Sequence, residues 1–262
     1  MENQKREKIE RLLTALIDQI NEIISSSIEL KRYNDQIFIG SIFFNILDIT
    51  DSISILVKEG KDNSIPILFR TIIENYADLI NLCNDNAYYF LLKEIDLVKK
   101  HKTFQKWNEP NDNPFFPDKD CISEDYRKMI REEKKELKEL RIKNLESFGK
   151  DRLDIKFKFK LSNTFKLYES IYQYNNSDVH NSLSVLSERF IHINKNEVSL
   201  TFKKSFKESI KVPHLQTLSG IVIESGKLIM NRFGKSLNQK TESELMYLHN
   251  SLKEILNNIS PE

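Results

Sequence analysis

His180 lies near the end of the stretch Tyr172 to Ser182, YQYNNSDVHNS. Its imidazole titrates near neutrality, with an ordinary pKa of about 6.5, so it can act as general acid or general base. It follows several side-chain hydrogen-bonders and precedes Asn181 and Ser182, neighbours that could fix its tautomer. Tyr172, Asn176 and His180 are spaced i, i+4, i+8 and share one face if their helix is continuous. A second stretch, Leu68 to Asn81, LFRTIIENYADLIN, carries Arg70 and Glu74 one helical turn apart, with Asp78 a turn further on. Arginine offers a planar, two-point grip on an oxyanion. Together these residues could do acid–base work beside a bound anion. The plainer readings are a structural histidine, one of five in the chain, and a solvated outer helix face. The spacing of Glu74, Asp78 and His180 does not favour a metal, and Cys83 and Cys121 lack metal-type spacing. No metal and no cofactor are expected.

The elements that must position these side chains are helices. Ile9, Leu12, Leu13, Leu16, Ile17, Ile20, Ile23, Ile24 and Ile28 recur at spacings of three and four, which predicts a helix over about residues 3–33. Asn34-Asp35 is expected to break it. The segment IFIGSIFFNILDITDSISILV is apolar nearly all round as far as Asp48, so residues 37–57 are expected to form the most buried helix, stopped at Gly60. Ser64 and Pro66 mark the start of a third helix, to about Leu82. Its apolar side is Leu68, Phe69, Ile72, Ile73, Tyr76, Leu79 and Ile80; Arg70, Glu74, Asp78 and Asn81 lie opposite. Residues 86–105 read as a further helix, followed by a proline-rich loop from Trp107 to Ile122.

Residues 124–148 carry interleaved Glu and Lys with a thin stripe of Tyr126, Ile130, Leu137, Leu140 and Leu145. This helix is expected to project from the body or to pack on a partner protein along the stripe. KFKFK at 156–160 is the one basic run interleaved with aromatics, and it reads as a short extended lead into a helix from Asn163 to about Glu188, broken near Asn175–Asp178. FIHINKNEVSLTFK signals a small peripheral β-hairpin at about 190–203, with Ile191 and Ile193 against Val198, Leu200 and Phe202. Pro213 is expected to open a helix to Phe233, and a last helix to run from Thr241, capped by TESE, to Ile259. The fold class is all-α: a helical bundle with that one hairpin, a single helical domain over 1–262 with a loop and charged-helix insertion at about 105–150.

Composition agrees. Six glycines and six prolines in 262 residues are too few to turn an all-β chain. Forty basic against thirty-nine acidic residues leave a net charge of +1, so no global field recruits nucleic acid. The N-terminus is charged from its start, and the apolar run Ile37 to Leu47 is about half the ~20 residues that span a bilayer. No membrane is expected, and a cytoplasmic location is.

NNSDVHN resembles the R-N-x-x-x-H-N/G signature of HEPN-type helical domains of toxins, abortive-infection proteins and other RNA-targeting defence proteins. Arg70, Glu74, Tyr172, His180 and Ser182 also fit, in order, the R-x-x-x-E and Y-x7-H-x-S patterns of an uncharacterised bacterial family. The resemblance implies a compact helical bundle, a homodimer, RNA as partner and a metal-independent endoribonuclease. It implies His180, Arg70 and Glu74 as catalytic residues, with Tyr172, Asn176, Ser182 and Asp78 contacting substrate. The signature arginine would fall on Asn175, so Arg70 is the residue left to supply the cation. Two alternatives stand beside this. Arg70, Glu74 and His180 could form a structural polar network in a non-catalytic interaction module. A small-molecule or nucleotide-binding enzyme would need a phosphate-binding glycine loop, and none is present.

Overall fold

Helices dominate the chain because its apolar residues repeat at helical spacing and few breakers interrupt them. The computed structural model describes residues 2–27, 34–108, 124–149, 154–173, 191–194, 197–200 and 208–258. The fold is all-α in class. Its described residues divide into two compact units, Met1–Cys83 with Phe159–Glu262, and Asn84–Lys158.

In the first unit, α1 (Glu2–Ser27) buries Ile9, Leu13, Leu16, Ile20 and Ile24. Residues of this size contribute about 1.5–3 kcal/mol each when fully buried. α1 packs on α2 (Asn34–Lys58), α8 (Glu208–Arg232) and α9 (Gln239–Asn257). Asn34 and Asp35 open α2 rather than interrupt a longer α1. Gly226 of α8 lets α1 come close: a Cβ there would meet the Ile20 side chain at 3.4 Å.

α2 departs from the expectation of all-round burial. Ile39, Phe43, Ile46, Leu47, Ile53 and Val57 are buried, yet Ile37, Phe38, Phe44 and Ile55 are exposed. The reason is geometric, since the helices that pack on α2 cover only part of its circumference. Gln36–Lys58 is also long and apolar enough to cross a membrane by length and composition, 23 residues rather than the shorter run counted above.

The end of α2 has a Schellman cap: Gly60, at φ 66°, donates to Val57 O, and Lys61 N donates to Leu56 O. A 3-10 turn (Asp62–Ser64) then leads into α3 (Ile65–Asn84), with Pro66 in its first turn. α3 buries Phe69, Ile72, Ile73, Ala77, Leu79 and Leu82, and the Phe69 ring meets His214 edge-on at 5.0 Å.

α6 (Ile155–Leu161) contains KFKFK, so that run is helical, not extended. Its end is closed by Asn163 at φ 56°: Asn163 N donates to Lys160 O and Thr164 N to Phe159 O. The chain restarts at once as α7 (Phe165–Leu167), which widens into a π-helical turn (Tyr168–Tyr172). The expected break at Asn175–Asp178 lies outside the described residues. A two-stranded antiparallel ladder follows, β1 (Ile191–Asn194) against β2 (Glu197–Leu200), pairing Ile191 with Leu200 and Ile193 with Val198. α8 begins before Pro213 instead of at it, and α9 is capped by Asn238, whose side chain accepts from Thr241 N, not by Thr241 itself.

The second unit pairs α4 (Tyr88–Asn108) with α5 (Glu124–Phe148). Leu137 and Leu140 of the thin stripe pack on Leu97, Phe90 and Val98 of α4, while Leu145 is exposed. Leu137 and Leu140 of the stripe are therefore covered by the chain's own α4. Charge pairs line the seam: Lys93 with Glu136, Lys100 with Glu133, and buried Glu94 with Asn144 Nδ2 at 2.6 Å and Arg141 Nε at 3.4 Å. This unit extends beyond the expected 105–150 insertion because α4 supplies the other half of its core.

Candidate functional site

α3 places Arg70 and Glu74 one turn apart, Nε to Oε1 3.3 Å. The π-helical turn brings Tyr172, about a hundred positions later, against both. Arg70 Nη2 donates to the Tyr172 hydroxyl at 2.6 Å, and that hydroxyl donates to Glu74 Oε1 at 2.8 Å. The guanidinium carbon also sits 4.7 Å from the centre of the Tyr172 ring. The three groups form a closed triangle, and π-helical turns often occur at functional sites.

The triangle has an inside and an outside. Tyr172 is 3% exposed, whereas the Arg70 and Glu74 side chains are 21% and 32% exposed. A ligand can reach the ion pair but not the phenol, whose oxygen is engaged on both sides. Tyr172 thus backs the pair, its hydroxyl bonded to both partners. Arg70 Nη1 has no partner among the described residues. Asp78 is half-buried and Asn81 is buried, so the polar side of α3 is not a solvated face. Asn176, His180 and Ser182 lie outside the described residues.

Burial, then the hydrogen bond and negative charge of Glu74, push the Tyr172 hydroxyl up to about 12, with Arg70 opposing. The native phenol keeps its proton while an unfolded one releases it near its ordinary value of 10. Between those values the native state binds more protons, so the stabilisation is complete below about pH 10 and is lost as pH rises to about 12. Tyr172→Phe is expected to cost about 1–2 kcal/mol at neutral pH, the hydroxyl bonds of a partly exposed ion pair. Urea midpoints of parent and variant should converge between pH 10 and 12; a gap that stays constant over that range contradicts the coupling.

Other side chains with chemical potential are structural in their settings. Ser219 Oγ and His249 Nδ1 are 2.7 Å apart, and the serine also donates to Gln216 O. Ser219 is fully buried, which keeps it from any substrate. Burial, helped by Lys253, pushes the pKa of the His249 ring down. No group of three metal-ligating side chains occurs among the described residues. A groove of about 520 Å³ lies between α1 and α9, lined by Gln19, Lys240, Glu244 and Tyr247 among others, away from the elements that carry the triangle. The sequence reading missed the aromatic surroundings of Tyr172. The Phe159 ring is 5.3 Å from it and the Tyr168 ring 5.3 Å; the i, i+4 pair Tyr168–Tyr172 was the available signal.

Residues 36–198 match the model of a family of unknown function (DUF5677), a span that contains Arg70, Glu74, Tyr172, His180 and Ser182. No curated protein and no solved structure matches the chain.

Proposed function

We propose that this chain, which belongs to the family of unknown function DUF5677, is an HEPN-like, metal-independent endoribonuclease of toxin or antiphage-defence type. The observation that carries the reading is the half-buried Arg70–Glu74 pair, braced from behind by Tyr172, with no hydrogen bond from Nη1 of Arg70 to any described residue. A guanidinium whose orientation is fixed loses little freedom on gripping a phosphate. In this reading His180 takes the proton of the ribose 2′-hydroxyl as its oxygen attacks phosphorus. Arg70 meets the charge gathering on the phosphoryl oxygens, and the P–O5′ bond breaks. A proton from solvent on the leaving oxygen gives the 5′-hydroxyl beside a 2′,3′-cyclic phosphate, and His180 releases its proton to solvent. Glu74 holds the guanidinium in plane, and Tyr172, protonated at any physiological pH, holds both. Asn176, Ser182 and Asp78 would contact the substrate.

A homodimer and a cytoplasmic location belong to the same proposal. Of the α5 stripe that suggested association, Leu137 and Leu140 are covered by α4 and Leu145 is exposed. A second reading is favoured by the closure of the triangle itself: a polar network that pins the turn at 168–172 to α3 and fixes their register.

The test is incubation of the purified full chain with single-stranded RNA in excess EDTA. Cleavage leaving cyclic phosphate ends is expected. Intact RNA, together with normal growth of cells expressing the chain, would overturn the nuclease reading and leave the polar network.

A further inference from the structure

The triangle is one end of a larger arrangement. Phe165 stacks on Tyr168 at 5.4 Å and 20°, and Tyr168 stacks on Tyr172 at 5.3 Å and 23°. Phe159, fully buried, leans on both tyrosines. A cation lies over the ring at each end of the series: Arg70 over Tyr172, and Lys160 Nζ 5.4 Å from the centre of Phe165. The two tyrosines are buried and offer no face to a ligand. Phe165 differs. It is only half-buried, and Lys160, over its ring, and Lys166, next in sequence, are exposed.

A lysine over an exposed aromatic ring contributes only about 0.5–1 kcal/mol. A ring that receives a nucleobase gains more from nearby lysines, because every base presents a π face and carries a phosphate next to it. Lysine sits on a flexible four-carbon stem, so Lys160 can leave the ring and pair with that phosphate. A base paired within a duplex has no face to offer, whereas an unpaired one has. We infer that Phe165, with Lys160, is a stacking subsite for one unpaired base of an RNA strand whose phosphate is gripped by Arg70. The inference rests on the RNA reading above and narrows its substrate to single-stranded RNA.

The experiment is fluorescence anisotropy of the full chain with a short fluorescein-labelled 2′-O-methyl oligonucleotide, which has no free 2′-hydroxyl and is not cut. Thermal unfolding is recorded on every variant. Phe165→Leu is expected to weaken binding about tenfold or more, the contribution of a stacked base, with a matched duplex unaffected. Phe165→Trp, with a larger π face, is expected to keep or raise affinity, and it carries the test should the leucine variant fail to fold. Binding by the parent that Phe165→Leu leaves unchanged overturns the subsite while the RNA reading stands. So does loss of affinity in a folded Phe165→Trp. A parent that neither binds the oligonucleotide nor cleaves RNA overturns both.

Discussion

Asp62→Ala is expected to lower the unfolding free energy by about 3–5 kcal/mol, the cost of breaking a largely buried ion pair from one side. Asp62 is fully buried and the Arg6 side chain is 11% exposed. Arg6 Nη1 donates to both carboxylate oxygens at 3.1 Å and to Val57 O at 2.9 Å. One guanidinium therefore ties the start of α1 to the last turn of α2 and to the turn that aims α3. Removing the carboxylate deletes two of the guanidinium's hydrogen bonds at a site where the Arg6 side chain is only 11% exposed. Asp62→Asn, which keeps an oxygen acceptor, should cost less. The double variant Arg6→Met/Asp62→Leu should recover much of the loss, since it removes both charges together. Urea unfolding of the four proteins measures this. A loss below about 1 kcal/mol, the size of a surface pair, would show that the ion pair does not hold the turn.

The second large effect is on activity. His180→Ala is expected to reduce RNA cleavage by about 10²–10⁴-fold, the share of a general acid or base, while unfolding is little changed. Arg70→Lys keeps a positive charge but cannot reproduce two-point contact with phosphate while holding the Tyr172 hydroxyl, so cleavage should fall there too. Glu74→Gln separates the two readings. The Glu74 side chain is 32% exposed, so water partly replaces its charge and the stability loss should be modest. If the triangle serves catalysis, cleavage falls further than stability does. If it is only a brace, Arg70→Lys and Glu74→Gln shift unfolding, and the parent shows no cleavage from which to lose. Full cleavage retained by His180→Ala would end the catalytic reading whatever the other variants do.

Apolar residues at spacings of three and four made the all-α class legible from sequence, because helix periodicity is a local property of the chain. The same locality made Gly60 readable as a left-handed cap and put Arg70 and Glu74 one turn apart. Failures began wherever the answer depended on a partner distant in sequence. The apolar stripe of α5 gives no hint that α4 covers its Leu137 and Leu140, and the apolarity of α2 does not say which side its neighbours leave bare. KFKFK alternates like a strand, yet it is helical, since tertiary packing of Phe159 overrides a five-residue pattern. Tyr172 could be named from the sequence beside Arg70 and Glu74, but not its role. Only the fold sets a phenol from the π-helical turn behind an ion pair on α3, packs its ring against Phe159 and Tyr168, and leaves the charged pair partly exposed. The residue types came from the sequence. Burial, which decides who supports and who is reachable, depends on every neighbour at once and came from the tertiary structure alone.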